Sequence, residues 1–321
     1  METRPPRGAD AVNGSGVRRE RPLVDRPVFV IGTGRSGLTP LMDLIAYHPA
    51  FAWPSQYNER WPDISALSAL SRVADVPPFD TRLKFRRGVP KHTEAFAMWD
   101  RCFPGFSEPF RDLVAEDATT YAKERVRTRV AAILRYQRKS RFIAEYSGWS
   151  RIGFLRAIFP DARFIHVVRD GRAVAHSLTT IDWWDGWLGP HRWRIGPLDP
   201  GSTAELARYG SSFLALAAIY WKTLVRNISD KGRQLPGDDF LVVRYEDMVA
   251  DPEKEAIRCI RFVDLPEDDG RLIRHLRTVR IVDANRRKMR IPPWREALTS
   301  EEIDMLNDLT AEELSGFDYA D

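Results

Sequence analysis

The chain has 321 residues, of which 49 are basic and 45 acidic, so its formal net charge is +4. This length fits one large α/β domain or two ordinary ones, and no apolar run approaches the roughly 18 residues that span a bilayer. The basic residues are mostly arginines spread among acids, unlike the clustered basic stripe of a nucleic-acid-binding protein. Composition therefore predicts a globular protein without a transmembrane segment or a nucleic-acid partner, and an anionic small-molecule ligand remains open.

The first 26 residues predict a disordered leader, because they are rich in Pro, Gly and Arg and lack the apolar core of a signal peptide. We expect residues 27–321 to form a single domain. The chain has two cysteines, Cys102 and Cys259, and no C-x-x-C motif. We therefore expect neither a disulfide framework nor a zinc cluster, and a reducing cytoplasm is the expected location.

The first predicted element is a strand, "RPVFVI" at 26–31, which runs into the glycine-rich sequence Gly32–Gly37. A helix is predicted next, in "LTPLMDLIAYHP", because Leu41, Leu44, Ile45 and His48 have the i, i+3, i+4, i+7 spacing of one helix face. A loop between a strand and a helix is the context that a phosphate-binding motif requires.

The following elements alternate between helix and strand. We predict a largely helical insertion over residues 52–140, on the substrate side, followed by a strand at 140–146. A second strand–turn–helix unit follows at 163–181, then a long helix at about 203–230 and a strand in "DFLVVRYEDM". This order predicts an α/β fold in which helices flank a central parallel β-sheet, with ligands at the carboxyl ends of the strands.

The glycine-rich loop does not fit the two best-known nucleotide motifs. A dinucleotide fold needs a second strand that ends in an acid about 20 residues on, and no strand-like run precedes Glu59. A P-loop nucleotidase needs a lysine near the end of the loop, and residues 32–39 contain none. Backbone N–H groups, the helix N-terminus and Arg35 can still hold an anion. A P-loop kinase or NTPase remains the alternative function.

A second anion site is predicted at the next strand–turn–helix unit. Arg169 ends a strand, and Ser177 follows eight residues later, within the next helix. Two anion sites without the lysine of a nucleotidase describe a nucleotide that carries phosphates at both ends of its ribose.

On these motifs the sequence resembles the sulfotransferases that use 3′-phosphoadenosine 5′-phosphosulfate (PAPS), and among them the bacterial carbohydrate and tyrosyl-protein branch. Residues 34–39 are similar to the family's 5′-phosphosulfate loop, P-[KR]-S-G-T-T, and Arg169, Asp170 and Ser177 match its 3′-phosphate motif. The later sequences "VVRYEDMVADP" and "WREALT" also resemble the family.

The resemblance implies a P-loop-like sheet and in-line transfer of a sulfonate group from PAPS to an acceptor hydroxyl. The acceptor would be a sugar, a glycolipid, a tyrosyl group or a small natural product, and no metal is implied. The donor would be bound by Gly34, Arg35, Ser36, Gly37, Leu38, Thr39, Arg169, Ser177, Tyr245, Arg287 and Lys288.

The chain departs from the family pattern in three places. Gly34 stands in place of Pro, Leu38 replaces the first Thr, and Glu145 occupies the position 24 residues before Arg169, where many members have a Lys that touches the sulfonate.

The expected catalytic residues are Arg35, Glu59 and Glu145. Glu59, shortly after the first helix, is the expected general base, and Glu145 is the alternative, followed by His92 and His191. A non-catalytic nucleotide-binding protein would retain both anion sites and lack the base.

Overall fold

In a computed structural model, the structure describes residues 24–76, 88–107, 110–181, 184, 186–188, 195–279 and 293–319. Within these residues a five-stranded sheet has the order β2-β3-β1-β4-β5, and every neighbouring pair is parallel. The strands are β1 (Val28–Gly32), β2 (Phe51–Ala52), β3 (Arg141–Ser147), β4 (Arg163–Val168) and β5 (Phe240–Arg244).

Helices connect the strands. The described α-helices are α1 (Leu38–Ile45), α2 (Gln56–Arg60), α3 (Phe96–Cys102), α4 (Thr120–Gln137), α5 (Ile152–Ile158), α6 (Gly171–Thr179), α7 (Pro200–Arg208), α8 (Phe213–Arg233), α9 (Tyr245–Ala250), α10 (Pro252–Phe262), α11 (Gly270–Thr278), α12 (Trp294–Ala297) and α13 (Ser300–Ser315). Short 3₁₀ helices cover Ser65–Asp75, Ala115–Asp117, Gly186–Leu188 and Gly237–Asp239. None of the helices in the described residues is long and apolar enough to cross a membrane.

The sheet buries both of its faces, as a parallel sheet must. Val28 and Val30 of β1 pack in one core cluster with the apolar residues of α1, α10 and α11. Phe29 and Ile31 point to the opposite face, where they join residues of α3, α4 and α5. A third cluster joins α6, α8 and α13 beyond the end of β4. The predicted fold class, a central parallel sheet flanked by helices, is therefore confirmed.

The central strand brings the predicted motifs together at one edge of the sheet. Gly32, the last residue of β1, is in register with Ser147 of β3 and with Val167 of β4. The glycine-rich loop thus lies between the carboxyl ends of two neighbouring strands, which is where parallel sheets bind their ligands.

Some element boundaries differ from the sequence prediction. The helix predicted over about 203–230 is two helices, because Gly210 adopts φ 66° and the Ser212 hydroxyl caps α8 by accepting a hydrogen bond from Ala215 N at 3.1 Å. Tyr245 begins α9 rather than continuing β5. The described parts between β2 and β3 are largely helical, as predicted for the insertion. The predicted leader, apart from residues 24–26, and the segment 280–292 lie outside the described residues.

Candidate active site

The loop after β1 has the shape of an anion cradle. The Ser36 hydroxyl donates to Thr33 O at 2.8 Å, which closes the turn. Arg35 adopts φ 71° and Gly37 adopts φ 103°, both in the left-handed region. Gly37 is also the N-cap of α1 and provides no capping side chain. The N–H groups of the first turn of α1 therefore point to the carboxyl edge of the sheet without a capping side chain, which suits an anion.

Gly37 is required here for space as well as for its backbone angles. A Cβ atom at this position would lie 2.4 Å from Cδ2 of Tyr245, so the Tyr245 ring packs directly against the loop. The side chain of Leu38, in contrast, is buried in the core. Leu38 can therefore contribute only its backbone N–H to an anion.

The two predicted anion sites contact each other. Arg35 Nε donates to the Ser177 hydroxyl at 2.9 Å, and Arg169 Nη1 donates to the carbonyl of Arg35 at 3.2 Å. The Arg169 guanidinium also stacks over the Tyr245 ring, 4.5 Å from its centroid. The structure thus brings Arg35, Gly37, Arg169, Ser177 and Tyr245 into one cluster.

Glu145 of β3 lies beside this cluster and faces α1. Its side chain is buried, with 2 % of its surface exposed. One carboxylate oxygen accepts from the Thr39 hydroxyl at 3.3 Å, and the other lies 2.8 Å from His92 Nδ1. The second ring nitrogen of His92 lies 2.8 Å from Oδ1 of Asp43. Glu145 is therefore held in a buried chain of hydrogen bonds that ends at the first turn of α1.

His92 is positively charged in this chain. Burial alone would lower its pKa, but the Glu145 carboxylate and the hydrogen bond that His92 donates to Asp43 raise the pKa to about 9. Burial would likewise raise the pKa of Asp43, but His92 and then Lys91 hold it below its usual value. Sequence reasoning named His92 only as a remote candidate and missed Asp43, although Asp43 follows Thr39 by one helical turn.

Glu59 lies elsewhere. It is exposed on α2, and its carboxylate accepts a hydrogen bond at 3.0 Å from the backbone N–H of Ala97, in the first turn of α3. None of its contacts among the described residues reaches the glycine-rich loop. The geometry therefore supports a helix-capping contact for Glu59 and gives no support to its expected role as the base.

Glu94 is a second acid at the carboxyl edge that sequence reasoning missed. Its carboxylate accepts the N–H of Ser147, the last residue of β3, at 2.6 Å. Its own carbonyl accepts from Trp99 Nε1 at 3.0 Å, which fixes the backbone. Burial, followed by the negative charge of Glu145, raises the pKa of Glu94 to about 7. No motif marks Glu94, because it lies in the insertion and reaches the site only through the fold.

Three predicted residues, Arg287, Lys288 and His191, lie outside the described residues. Among the residues that are described, no group of three His, Cys, Asp or Glu side chains is arranged to hold a metal ion. Cys102 and Cys259 are both free and buried.

Fold and site together define an α/β protein with two joined anion sites at the carboxyl edge of a parallel sheet. The model of the "Sulfotransferase family" matches residues 27–269. Because this match covers most of the chain, the protein belongs to the sulfotransferase family, and the resemblance inferred from the motifs is confirmed.

Individual relatives are distant. The chain is 25% identical over 267 residues to the omega-hydroxy-beta-dihydromenaquinone-9 sulfotransferase Stf3 of Mycobacterium tuberculosis and of Mycobacterium bovis, and the match covers 77% of this chain and 64% of the relative. A putative protein-tyrosine sulfotransferase of Caenorhabditis elegans is 26% identical over 121 residues, 38% of each chain. Among solved structures, sulfotransferase STF9 of Mycobacterium avium has a TM-score of 0.60 at 19% identity, with 92% of this chain and 78% of that chain covered.

Proposed function

We propose that this protein transfers a sulfonate group from PAPS to an acceptor hydroxyl. The observation that carries the proposal is the contact between the two anion sites, Arg35 with Ser177 at 2.9 Å and Arg169 with the Arg35 carbonyl at 3.2 Å. A nucleotide with a phosphosulfate at one end of its ribose and a phosphate at the other presents two anions to such a pair of sites. Membership of the sulfotransferase family supports the same donor.

The donor would lie along the carboxyl edge of the sheet. Its 5′-phosphosulfate would occupy the loop of residues 34–39 at the N-terminus of α1, where backbone N–H groups and the helix dipole favour an anion. Its 3′-phosphate would be bound by Arg169 and Ser177. Tyr245, which packs on Gly37 and beside Arg169, would border the nucleoside between the two anions. Arg287 and Lys288 remain predicted contacts of the 3′-phosphate.

The reaction is a displacement at sulfur. The acceptor oxygen forms a new bond to sulfur as the bond between sulfur and the bridging phosphate oxygen breaks, and adenosine 3′,5′-bisphosphate (PAP) leaves with the electron pair. Negative charge grows on the bridging oxygen, so Arg35, the Thr39 hydroxyl and the first turn of α1 would stabilise the transition state. The buried ion-paired network of Glu145 and His92 would hold the Thr39 hydroxyl in place.

The acceptor is proposed only as a class, a hydroxyl-bearing small molecule or glycan or a tyrosyl group. The named relatives act on a hydroxylated dihydromenaquinone and, in the case of the C. elegans protein, putatively on protein tyrosine. The match spans 64% of the length of the Stf3 relatives. The acceptor of those relatives is therefore not assigned to this chain. A cytoplasmic location is proposed on the two free cysteines, which are typical of a reducing compartment.

The experiment is a transfer assay with ³⁵S-labelled PAPS against a panel of acceptors: sugars, glycolipids, tyrosyl peptides, aryl alcohols and hydroxylated quinone lipids. We expect a labelled product with at least one class, and PAP binding that is undiminished by EDTA. Binding of PAP that is no tighter than binding of AMP would contradict the proposal, because the 3′-phosphate site would then not exist. ATP hydrolysis or kinase activity with Mg²⁺ would favour the P-loop alternative.

A further inference from the structure

Two acids lie at the carboxyl end of β3. Glu145 belongs to the strand itself, and the Glu94 carboxylate accepts the backbone N–H of Ser147, the last residue of the strand. Glu145 already contacts Thr39 in the first turn of α1. Because Ser147 is in register with Gly32, where the glycine-rich loop begins, Glu94 lies at the end of the sheet where the sulfonate would bind.

The two acids differ in access. Glu145 is buried at 2 % exposure, and its two oxygens are occupied by Thr39 and His92. Glu94 as a whole residue is partly exposed, although its carboxyl group is surrounded by protein closely enough for burial to raise its pKa. Its contacts come from Ser147, through the backbone N–H and the hydroxyl, and a carboxylate offers about four acceptor positions. Of the two acids, Glu94 is therefore the one that belongs to a partly exposed residue, and the hydrogen bonds described for its carboxylate come only from Ser147.

The position of Glu94 is also well determined. The Trp99 indole holds its carbonyl, and Thr93 N donates to Pro54 O at 3.1 Å, which ties the segment to the chain that follows β2. Glu59 holds the N-terminus of α3, which begins two residues after Glu94. A side chain fixed at its backbone in this way is suited to a role that depends on orientation.

The geometry points to Glu94 as the general base of the transfer proposed above. It accepts the proton of the acceptor hydroxyl as the oxygen attacks sulfur, and it becomes a neutral carboxyl group while PAP leaves. Glu59 then acts as a positioning residue, because it holds the helix that follows the base.

The charges around Glu94 agree with this role. Burial and the nearby Glu145 carboxylate raise its pKa to about 7, while the contacts from Ser147 and the charge of Arg151 act in the opposite direction. A base whose pKa lies near neutrality combines a useful ionised fraction with a strong affinity for the proton.

The test compares Glu94→Gln with Glu59→Gln, with Glu145→Gln and with a matched surface control, Glu124→Gln. Each variant is assayed with ³⁵S-labelled PAPS in two reactions, transfer to 2-naphthol and hydrolysis by water, over a range of pH. PAP binding is measured in parallel as a check that the variant is folded. We expect Glu94→Gln to bind PAP normally and to lose roughly 10²- to 10⁴-fold in kcat.

The pH profile separates a base from a structural residue. In the wild type, kcat/KM should rise with pH through about 7 and then level off, because Glu94 must be ionised to accept the proton. Glu94→Gln should lack this rise, and Glu94→Asp, which keeps the carboxylate at a shorter reach, should retain it at a lower rate. Glu59→Gln should keep the rise with a smaller loss.

Normal transfer by Glu94→Gln, or an unchanged rise with pH in that variant, overturns the assignment while leaving the proposed function intact. If Glu94→Gln does not fold, absence of the rise from Glu94→Asp overturns it. Failure of the wild-type protein to bind PAP, or to transfer sulfonate to any acceptor of the panel described above, overturns the proposed function and the assignment of Glu94 with it.

Discussion

At the scale of single residues, His92 lies between two carboxylates, those of Glu145 and Asp43. Both of its ring nitrogens lie 2.8 Å from carboxylate oxygens that can only accept hydrogen bonds, so the ring donates twice and carries a positive charge. Removing one member of a buried ion-paired set leaves the others without compensation, at a cost of several kcal/mol. His92 therefore stabilises the fold around Glu145 and Asp43.

We expect His92→Gln to lower the free energy of unfolding by about 3–5 kcal/mol. The pKa of His92 is raised from 6.5 to about 9 by folding, so its stabilising contribution is complete below about pH 6.5 and is lost as the pH rises through about 9. Urea unfolding across this range should show a decline in the wild type that His92→Gln lacks. The double variant His92→Gln/Glu145→Gln should regain part of the loss.

His48→Gln is the control for this experiment, because burial lowers the pKa of His48 and the alkaline decline should persist. An identical alkaline decline in His92→Gln and the wild type would contradict the charge assigned to His92.

Arg169→Ala should weaken PAP binding by about 1.5–3 kcal/mol, since it removes a charge-assisted contact and the donor to the Arg35 carbonyl. Titration calorimetry measures the loss, and thermal unfolding should change little. Arg261→Ala, which breaks an exposed ion pair with Glu267, is the matched control. Unfolding of Arg169→Ala without a specific binding defect would make Arg169 a structural residue.

At the scale of elements, the loop between β1 and α1 depends on close approach as much as on charge. Gly37 has φ 103° and lies against the Tyr245 ring. A side chain at this position must therefore both adopt a left-handed conformation and displace the start of α9. The loop and α9 form a single structural unit although they are about 200 residues apart in the sequence.

Gly37→Ala should abolish measurable PAP binding, because its Cβ would lie 2.4 Å from Tyr245 Cδ2. Gly105→Ala is the matched control: its φ is 84° but nothing lies within 4 Å of the added atom, so it should cost only about 1–2 kcal/mol of stability. Partial recovery of binding in Gly37→Ala/Tyr245→Ala would assign the defect to the contact, and full binding by Gly37→Ala would contradict it.

The elements that the sequence predicted well are those with a local signal. β1, α1, β4 and α6 have apolar periodicity and glycine or capping signals of their own, and the fold class follows from their order. The motif residues Arg35, Arg169 and Ser177 were found because their spacing within each unit is short. Arg35 and Ser177 are 142 residues apart, however, and their contact at 2.9 Å depends on the sheet order.

What the sequence did not predict depends on long-range packing. Glu94 and His92 lie in the insertion, where no motif surrounds them, and the sequence named His92 only as a candidate base after Glu59 and Glu145. They reach β3 because the chain at 91–94 runs beside Pro54–Gln56, where Gln56 N donates to Lys91 O at 3.2 Å. Glu59 had the more suggestive position in the sequence, yet in the structure its carboxylate bonds to the N-terminal turn of α3.

At the scale of the whole molecule, the order β2-β3-β1-β4-β5 places the loop of the central strand between strands that carry the other site residues. Both faces of the sheet are covered by core clusters, so the carboxyl edge is held by packed elements on either side. A ligand at this edge would contact several elements at once, and its binding should therefore raise the free energy of unfolding of the whole domain.

PAP at about 100 times its dissociation constant should stabilise the native protein by about 2.7 kcal/mol, which corresponds to a rise in Tm of roughly 5 °C. Differential scanning fluorimetry measures the shift. The same concentration of AMP, which lacks the 3′-phosphate, should give a clearly smaller rise, and EDTA should leave both unchanged. Equal shifts for the two nucleotides would show that the 3′-phosphate contributes nothing.

Arg35 spans both anion sites, with its side chain on Ser177 and its carbonyl on Arg169. The binding energies of the two ends of the nucleotide should therefore not be additive, because each end orders a residue that the other end also uses. In a double-mutant cycle, Arg35→Ala and Ser177→Ala should together cost less PAP affinity than the sum of the single losses. The protein would then discriminate against nucleotides with one anionic end because Arg35 couples the binding of the 5′ and 3′ groups.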